Sequence, residues 1–116
     1  MSGYIHKSQI PVQSQASLAP EVRAAIGDAK NQVRAGIAHE AFRNDKDTQR
    51  GDGSPLPALS QGWRYVEFQV GAAHEHDPRP RGVRRLVVEL DPSNRIREIY
   101  YTENHYAKFS FVKVVI

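Results

Sequence analysis

Two stretches decide the fold: Trp63–Val70, WRYVEFQV, and Val83–Leu90, VRRLVVEL. In a strand, successive side chains point to opposite faces. The first stretch puts Arg64, Val66, Phe68 and Val70 on one face, and Trp63, Tyr65, Glu67 and Gln69 on the other. The second puts Arg84, Leu86, Val88 and Leu90 on one face, and Val83, Arg85, Val87 and Glu89 on the other. Each has one mostly apolar face, which needs something to cover it.

Downstream, Asp91-Pro92-Ser93-Asn94 reads as a turn. IREIYYT (Ile96–Thr102) and KFSFVKVVI (Lys108–Ile116) are rich in β-branched and aromatic residues and read as further strands. Upstream, Leu18, Val22, Ile26, Ala29 and Val33 recur at three- or four-residue steps, the pattern of an amphipathic helix. Ser17 or a neighbour can cap it, Pro20 suits its first turn, and Glu21 complements its dipole. Gly36 ends it, and Gly27 is a weak point. Ile37–Ala41 has room for a second short helix. Phe42–Leu59 carries two glycines and two prolines and reads as a long loop, which in a small domain is usually either functional or disordered. Residues 1–16 show little periodicity and read as an extended or partly mobile arm, leaving 17–116 as a single domain. Helix first and antiparallel meander second is an α+β domain, with the N-terminal helix packed on a C-terminal antiparallel sheet.

Composition narrows the chemistry. The 116 residues include no cysteine, which excludes disulfides, thiolate nucleophiles and zinc–thiolate sites. No apolar run approaches the roughly 18 residues of a membrane span. MSGYIHKSQIPVQSQ lacks the apolar core of a signal peptide, so the expectation for a secreted protein is a mature form or an excised domain. Net charge is only +3, but Arg79, Arg81, Arg84 and Arg85 fall within seven positions. Arginine forks match phosphate. A solvated surface is the rival reading of such a run.

If the two quoted strands pair, Glu67 and Arg85 share the solvent-side face. Alone, that is a cross-strand ion pair worth a few tenths of a kcal/mol. His105 in YYTENHYAKF adds the side chain best suited to give up a proton near neutral pH. A glutamate, a histidine and an arginine cluster suffice to cleave RNA through its own 2′-hydroxyl. A base takes the 2′-OH proton, the oxygen attacks phosphorus, an acid protonates the departing 5′-oxygen, and arginines stabilise the added charge. No metal is required, and DNA would be spared. The clustered His74, Glu75, His76 and Asp77 precede Pro78 and read as a solvated loop rather than a metal site. His39 and Glu40 read as a helix C-terminal cap or surface. Trp63 reads as partly buried packing, and only one of Tyr100 and Tyr101 can face a cleft.

Three motifs in order, Tyr65-Val66-Glu67-Phe68, Arg79 to Arg85 (RPRGVRR) and Tyr100 to Phe109 (YYTENHYAKF), resemble the microbial guanyl-specific ribonucleases. These are the barnase-like family, and the likeness is strongest to its actinobacterial-type enzymes over residues 62–112. The resemblance implies the microbial ribonuclease fold and an endoribonuclease that cuts single-stranded RNA 3′ to guanosine. The products would be a 2′,3′-cyclic phosphate and then a 3′-phosphate, with no metal and no cofactor. It implies Glu67 as general base, His105 as general acid, Arg81 and Arg85 on the scissile phosphate, and Tyr106 lining the site. Arg79 and Arg84 receive no catalytic role, and Arg84 belongs to the other face.

The family's guanine-reading segment begins correctly at Phe42-Arg43-Asn44-Asp45, and Leu56-Pro57 matches its end. The stretch between is longer and holds no glutamate. Asp45, Asp47 or Asp52 can substitute as the guanine-binding carboxylate: counting back from Leu56 favours Asp52, and counting forward from Asn44 favours Asp45 or Lys46. Both stay open. The resemblance further implies a monomer off the membrane, RNA as partner, and an acidic barstar-like inhibitor. Its location would be secreted, or cytoplasmic when inhibitor-bound. A non-catalytic RNA-binding module of the same fold, or the toxic tip of a larger delivered polypeptide, are the rival readings.

Overall fold

Alternating β-branched and aromatic residues pay off only when strands find partners, and here they build one six-stranded sheet. The computed structural model describes residues 9–36, 40–42, 56–71, 84–103 and 111–115. Among these residues the strands are β1 (Val12–Ser14), β2 (Glu40–Phe42), β3 (Arg64–Gln69), β4 (Arg85–Leu90), β5 (Ile96–Thr102) and β6 (Phe111–Val115), with one α-helix, α1 (Pro20–Ala35). Their spatial order is β1-β6-β5-β4-β3-β2. Every pairing is antiparallel except β1 with β6. This is the expected α+β architecture.

The helix buries the stripe that its spacing defines. Leu18, Val22, Ile26 and Ala29 meet Val66, Val70, Leu86, Val88, Leu90, Ile99, Tyr101 and Val114 in the main core. Gly36 closes α1 at φ 72°, a left-handed conformation that suits glycine, and its N–H donates to Val33 O at 3.1 Å. At the other end Pro20 and Glu21 stand as expected in the first turn, but the cap is Ala19, with no side-chain hydrogen bond. Ser17 Oγ instead donates to Ser14 O at 2.7 Å, within a preceding 3-10 turn at Gln15–Ser17. The Asp91–Asn94 turn forms as read: Asp91 Oδ1 accepts from the N–H groups of Ser93 and Arg95 at 2.9 and 3.0 Å. These backbone bonds, that from Arg95 first, hold the Asp91 carboxyl below its ordinary pKa.

Three further expectations change. Part of Ile37–Ala41 is strand rather than helix: Glu40–Phe42 pairs with Tyr65–Glu67. Five residues barely nucleate a helix, whereas the edge of β3 offers backbone partners at once. The latter part of the N-terminal arm is docked, with Ile10 buried and Val12–Ser14 paired to Lys113–Val115. It covers what would otherwise be an open sheet edge, a role without a periodic signature. Finally, the face that strand patterning assigns to solvent holds a second core. It consists of Ile10, Phe42, Leu56, Tyr65, Val87, Tyr100 and Phe111, with Leu59 against it. The covering residues come from remote segments, so strand alternation alone could not show them.

Candidate active site

Antiparallel register sets the site. Glu67 stands opposite Val87, and Arg85 stands opposite Gln69. Residues facing one another across paired strands share a face, so Glu67 and Arg85 lie on the same side of the sheet as diagonal neighbours. Such pairs sit about 7–8 Å apart, within reach of long side chains. Glu67 is half-buried in β3, and Arg85, first residue of β4, is 8% exposed. A guanidinium that buried must be well supplied with acceptors, and Arg85 Nη1 donates to the Arg84 carbonyl at 2.8 Å.

Four strand ends line up beside this pair. Gln69, Arg85, Thr102 and Phe111 form one row across β3, β4, β5 and β6. Arg81 belongs to the sequence between Gln69 and Arg85; His105 and Tyr106 belong to that between Thr102 and Phe111. Those three lie outside the described residues, as do Arg43, Asn44, Asp45, Asp52, Arg79, His39 and the His74–Asp77 cluster. Phe42 is described: its ring is 4% exposed and packs edge-to-face on Tyr65 and Phe111, with centroids 6.1 and 6.5 Å apart. It anchors the end of β2. At residue 56 the chain is fixed again, with Leu56 fully buried and Tyr65 Oη donating to Pro57 O at 2.7 Å. Burial pushes the Tyr65 hydroxyl pKa up, and Tyr100 and Glu89 add to it. Tyr65 therefore stays a donor through the neutral range.

Several members of this face lay beyond sequence reading. Glu89 is 2% exposed and pairs across to Glu98, which meets Lys113 Nζ at 3.5 Å. Parity places Glu89 beside Glu67, but only the register of β5 and β6 brings in Glu98 and Lys113. Tyr100 is the tyrosine that faces this side, fully buried between Tyr65 and Phe111. Tyr101 faces the helix, with its pKa pushed up to about 12 chiefly by burial and then by Glu103. Arg84 also lies on the helix side. Its Nη2 would be 2.8 Å from a Cβ at Gly71, so the glycine, at φ 62°, makes the room. Trp63 is half-buried with the Arg97 guanidinium 5.8 Å over its ring.

Chemically, the face offers a carboxylate placed to accept a proton and a fixed guanidinium placed to hold an anion. Among the described residues no three His, Cys, Asp or Glu side chains gather where they could hold a metal ion. No helix among them is long and apolar enough to cross a membrane.

The sequence matches the ribonuclease family profile over residues 3–113. No curated protein sequence matches it. Among solved structures, a similar chain is that of ribonuclease Sa2 with guanosine-2′-cyclophosphate, at 21% identity and a TM-score of 0.49, covering 91% of this chain and 96% of that one.

Proposed function

The chain belongs to the ribonuclease family, and on that premise we propose that it is an endoribonuclease of single-stranded RNA, cutting 3′ to guanosine without a metal. The observation that carries this reading is the row Gln69–Arg85–Thr102–Phe111 beside Glu67. It ties the two segments bearing Arg81 and His105 to the sheet end where Glu67 and Arg85 share a face.

In the proposed reaction the Glu67 carboxylate takes the proton of the 2′-hydroxyl. The 2′-oxygen then bonds to phosphorus, and the bond from phosphorus to the 5′-oxygen breaks. His105, as imidazolium, gives its proton to that departing oxygen. The products are a 2′,3′-cyclic phosphate and a 5′-hydroxyl. In the second stage the roles reverse: His105 takes a proton from water, whose oxygen bonds to phosphorus, the bond from phosphorus to the 2′-oxygen breaks, Glu67 returns a proton to that oxygen, and a 3′-phosphate remains. Arg81 and Arg85 neutralise charge that builds on the phosphoryl oxygens. A buried guanidinium has little hydration to shed before it does so, and Arg85 is already held through Nη1 by the Arg84 carbonyl.

Guanine would be read by the segment between Phe42 and Leu56, with Asp45 or Asp52 accepting from N1–H and N2–H. The same arginine face would suit an acidic barstar-like inhibitor.

The test is a map of cut sites on a defined RNA in EDTA. Cleavage after guanosine with a cyclic-phosphate intermediate is expected, with a bell-shaped pH–rate profile. Undiminished cleavage by the Glu67→Gln, His105→Ala double variant would overturn the assignment. RNA binding without turnover would make the chain a binding module.

A further inference from the structure

On the opposite face of the sheet, a groove of about 490 Å³ opens between the last turns of α1 and the Asp91–Arg95 turn. Lys30 and Arg34, one helical turn apart, form one wall; Asn94 and Arg95 form the other; Val33 and Ile96 make an apolar floor. The volume falls within the range of small-ligand sites.

The charge there is one-sided. Arg95 Nε contacts Asp91 Oδ2 at 3.3 Å, and Arg97 Nη1 reaches the same oxygen at 3.9 Å. Asp91 itself is buried and already occupied by two backbone N–H groups. One carboxylate is thus shared by two arginines. Arg64 adds a third at this end, donating to Asn94 Oδ1 at 2.6 Å and so fixing the turn. Among the described residues no ion pair engages Lys30 or Arg34. A cation in the last turn of a helix also complements the dipole. That accounts for Arg34; it does not account for Lys30 lining the same groove or for Arg95 across from it.

We propose that this groove is a second anchor for the RNA backbone, separate from the cleavage site, with Lys30, Arg34 and Arg95 holding phosphate and Val33 and Ile96 lying under sugar or base. The inference rests on RNA being the substrate. Arg85 begins β4 and Leu90 ends it, five steps away, so the groove lies about 17 Å along the strand and on the other face. A dinucleotide at Glu67 cannot reach it; a strand many nucleotides long can. The anchor therefore acts on substrate length and not on the chemical step.

The experiment compares the wild-type chain with Lys30→Gln/Arg34→Gln. Binding of a 2′-deoxy strand of about twenty nucleotides, which lacks the attacking hydroxyl, is followed by fluorescence anisotropy against salt. Each lost phosphate contact lowers the slope of log affinity against log salt by about 0.7, so the double variant should lose about 1.4. Its kcat/KM on a GpN dinucleotide should stay at the wild-type value while its KM on long RNA rises. Lys30→Arg/Arg34→Lys should restore the slope. An unchanged slope, or equal losses on dinucleotide and long strand, would overturn the anchor. Failure of the ribonuclease reading looks different: the wild-type chain would turn over neither substrate, while the anisotropy arm would still report on the groove.

Discussion

On the helix side of the sheet the buried cluster is aliphatic from Val66 to Val114 except for Tyr101, and α1 lies over it. On the other side Phe42, Tyr65, Tyr100 and Phe111 pack edge-to-face, and Glu67, Arg85 and Glu89 stand among or beside them. The same strands supply both faces, residue by residue. Val66 stabilises, and its neighbour Glu67 is the proposed base; Leu86 stabilises, and its neighbour Arg85 is the proposed phosphate contact. Period-two alternation lets one face spend burial on stability while the other tolerates partly buried charge. The difference teaches that within the paired strands the buried polar side chains, Arg85, Glu89 and Thr102, keep to one side, which can be perturbed without touching the helix packing.

The sharpest way to break this comparison is to change adjacent residues that face opposite ways. Glu67→Gln keeps shape and removes the proposed base. It should lower kcat/KM on a GpN dinucleotide by about 10²–10⁴-fold, with the melting temperature nearly unmoved. Ile26→Ala, on the helix face and 1% exposed, should do the reverse. It should cost about 2–5 kcal/mol in urea unfolding, while kcat per folded molecule holds. If Ile26→Ala abolished turnover in fully folded protein, or Glu67→Gln unfolded it, the two faces would not be separable.

That separation was already written in the alternation of WRYVEFQV and VRRLVVEL, which placed Glu67 and Arg85 together and put Arg84 behind. The helix stripe, the Gly36 stop and the Asp91 turn were legible for the same reason: each rests on local spacing or on one residue's conformational preference. What escaped reading depends on distant pairing. Ile10 and Leu56 cover the second core from sequence positions far from the strands they touch, and β1 and β2 are three residues each, too short for a period to show. Lys113 and Glu98 meet only because of the β5–β6 register. At the site, the identity of the residues came from motif likeness, while alternation supplied their shared face.

A smaller perturbation sharpens the role of the second core. Tyr65→Phe removes one donor to the Pro57 carbonyl, at a cost of about 0.5–1.5 kcal/mol. Pro57 closes the segment proposed to read guanine. KM for a guanosine-containing dinucleotide should therefore rise more than kcat falls. Equal effects on guanosine and adenosine substrates would detach Tyr65 from base reading and leave it a purely structural tie.

The smallest expected effect has an unusual sign. Tyr100 Oη is buried and finds no hydrogen-bond partner among the described residues. Removing a buried polar group that lacks a partner is neutral or stabilising, by up to about 1 kcal/mol, whereas most core substitutions destabilise. Tyr100→Phe is therefore expected to hold or raise the urea midpoint at pH 7. The same hydroxyl also bears on alkaline stability. Burial, followed by Glu89 and Glu98, raises its folded pKa above the ordinary value of 10. A raised folded pKa means that the native state holds the proton more tightly than the unfolded chain does. Its contribution is present in full below pH 10 and is lost as pH rises towards the folded pKa. Tyr65 and Tyr101 are raised too, Tyr101 to about 12, so the wild-type chain should lose stability steadily above pH 10. Tyr100→Phe removes one of those three titrations and should flatten the decline between pH 10 and 12. An unchanged slope there, with a lowered midpoint at pH 7, would mean that the hydroxyl is satisfied in solution and that the aromatic face is as intolerant of substitution as the aliphatic one.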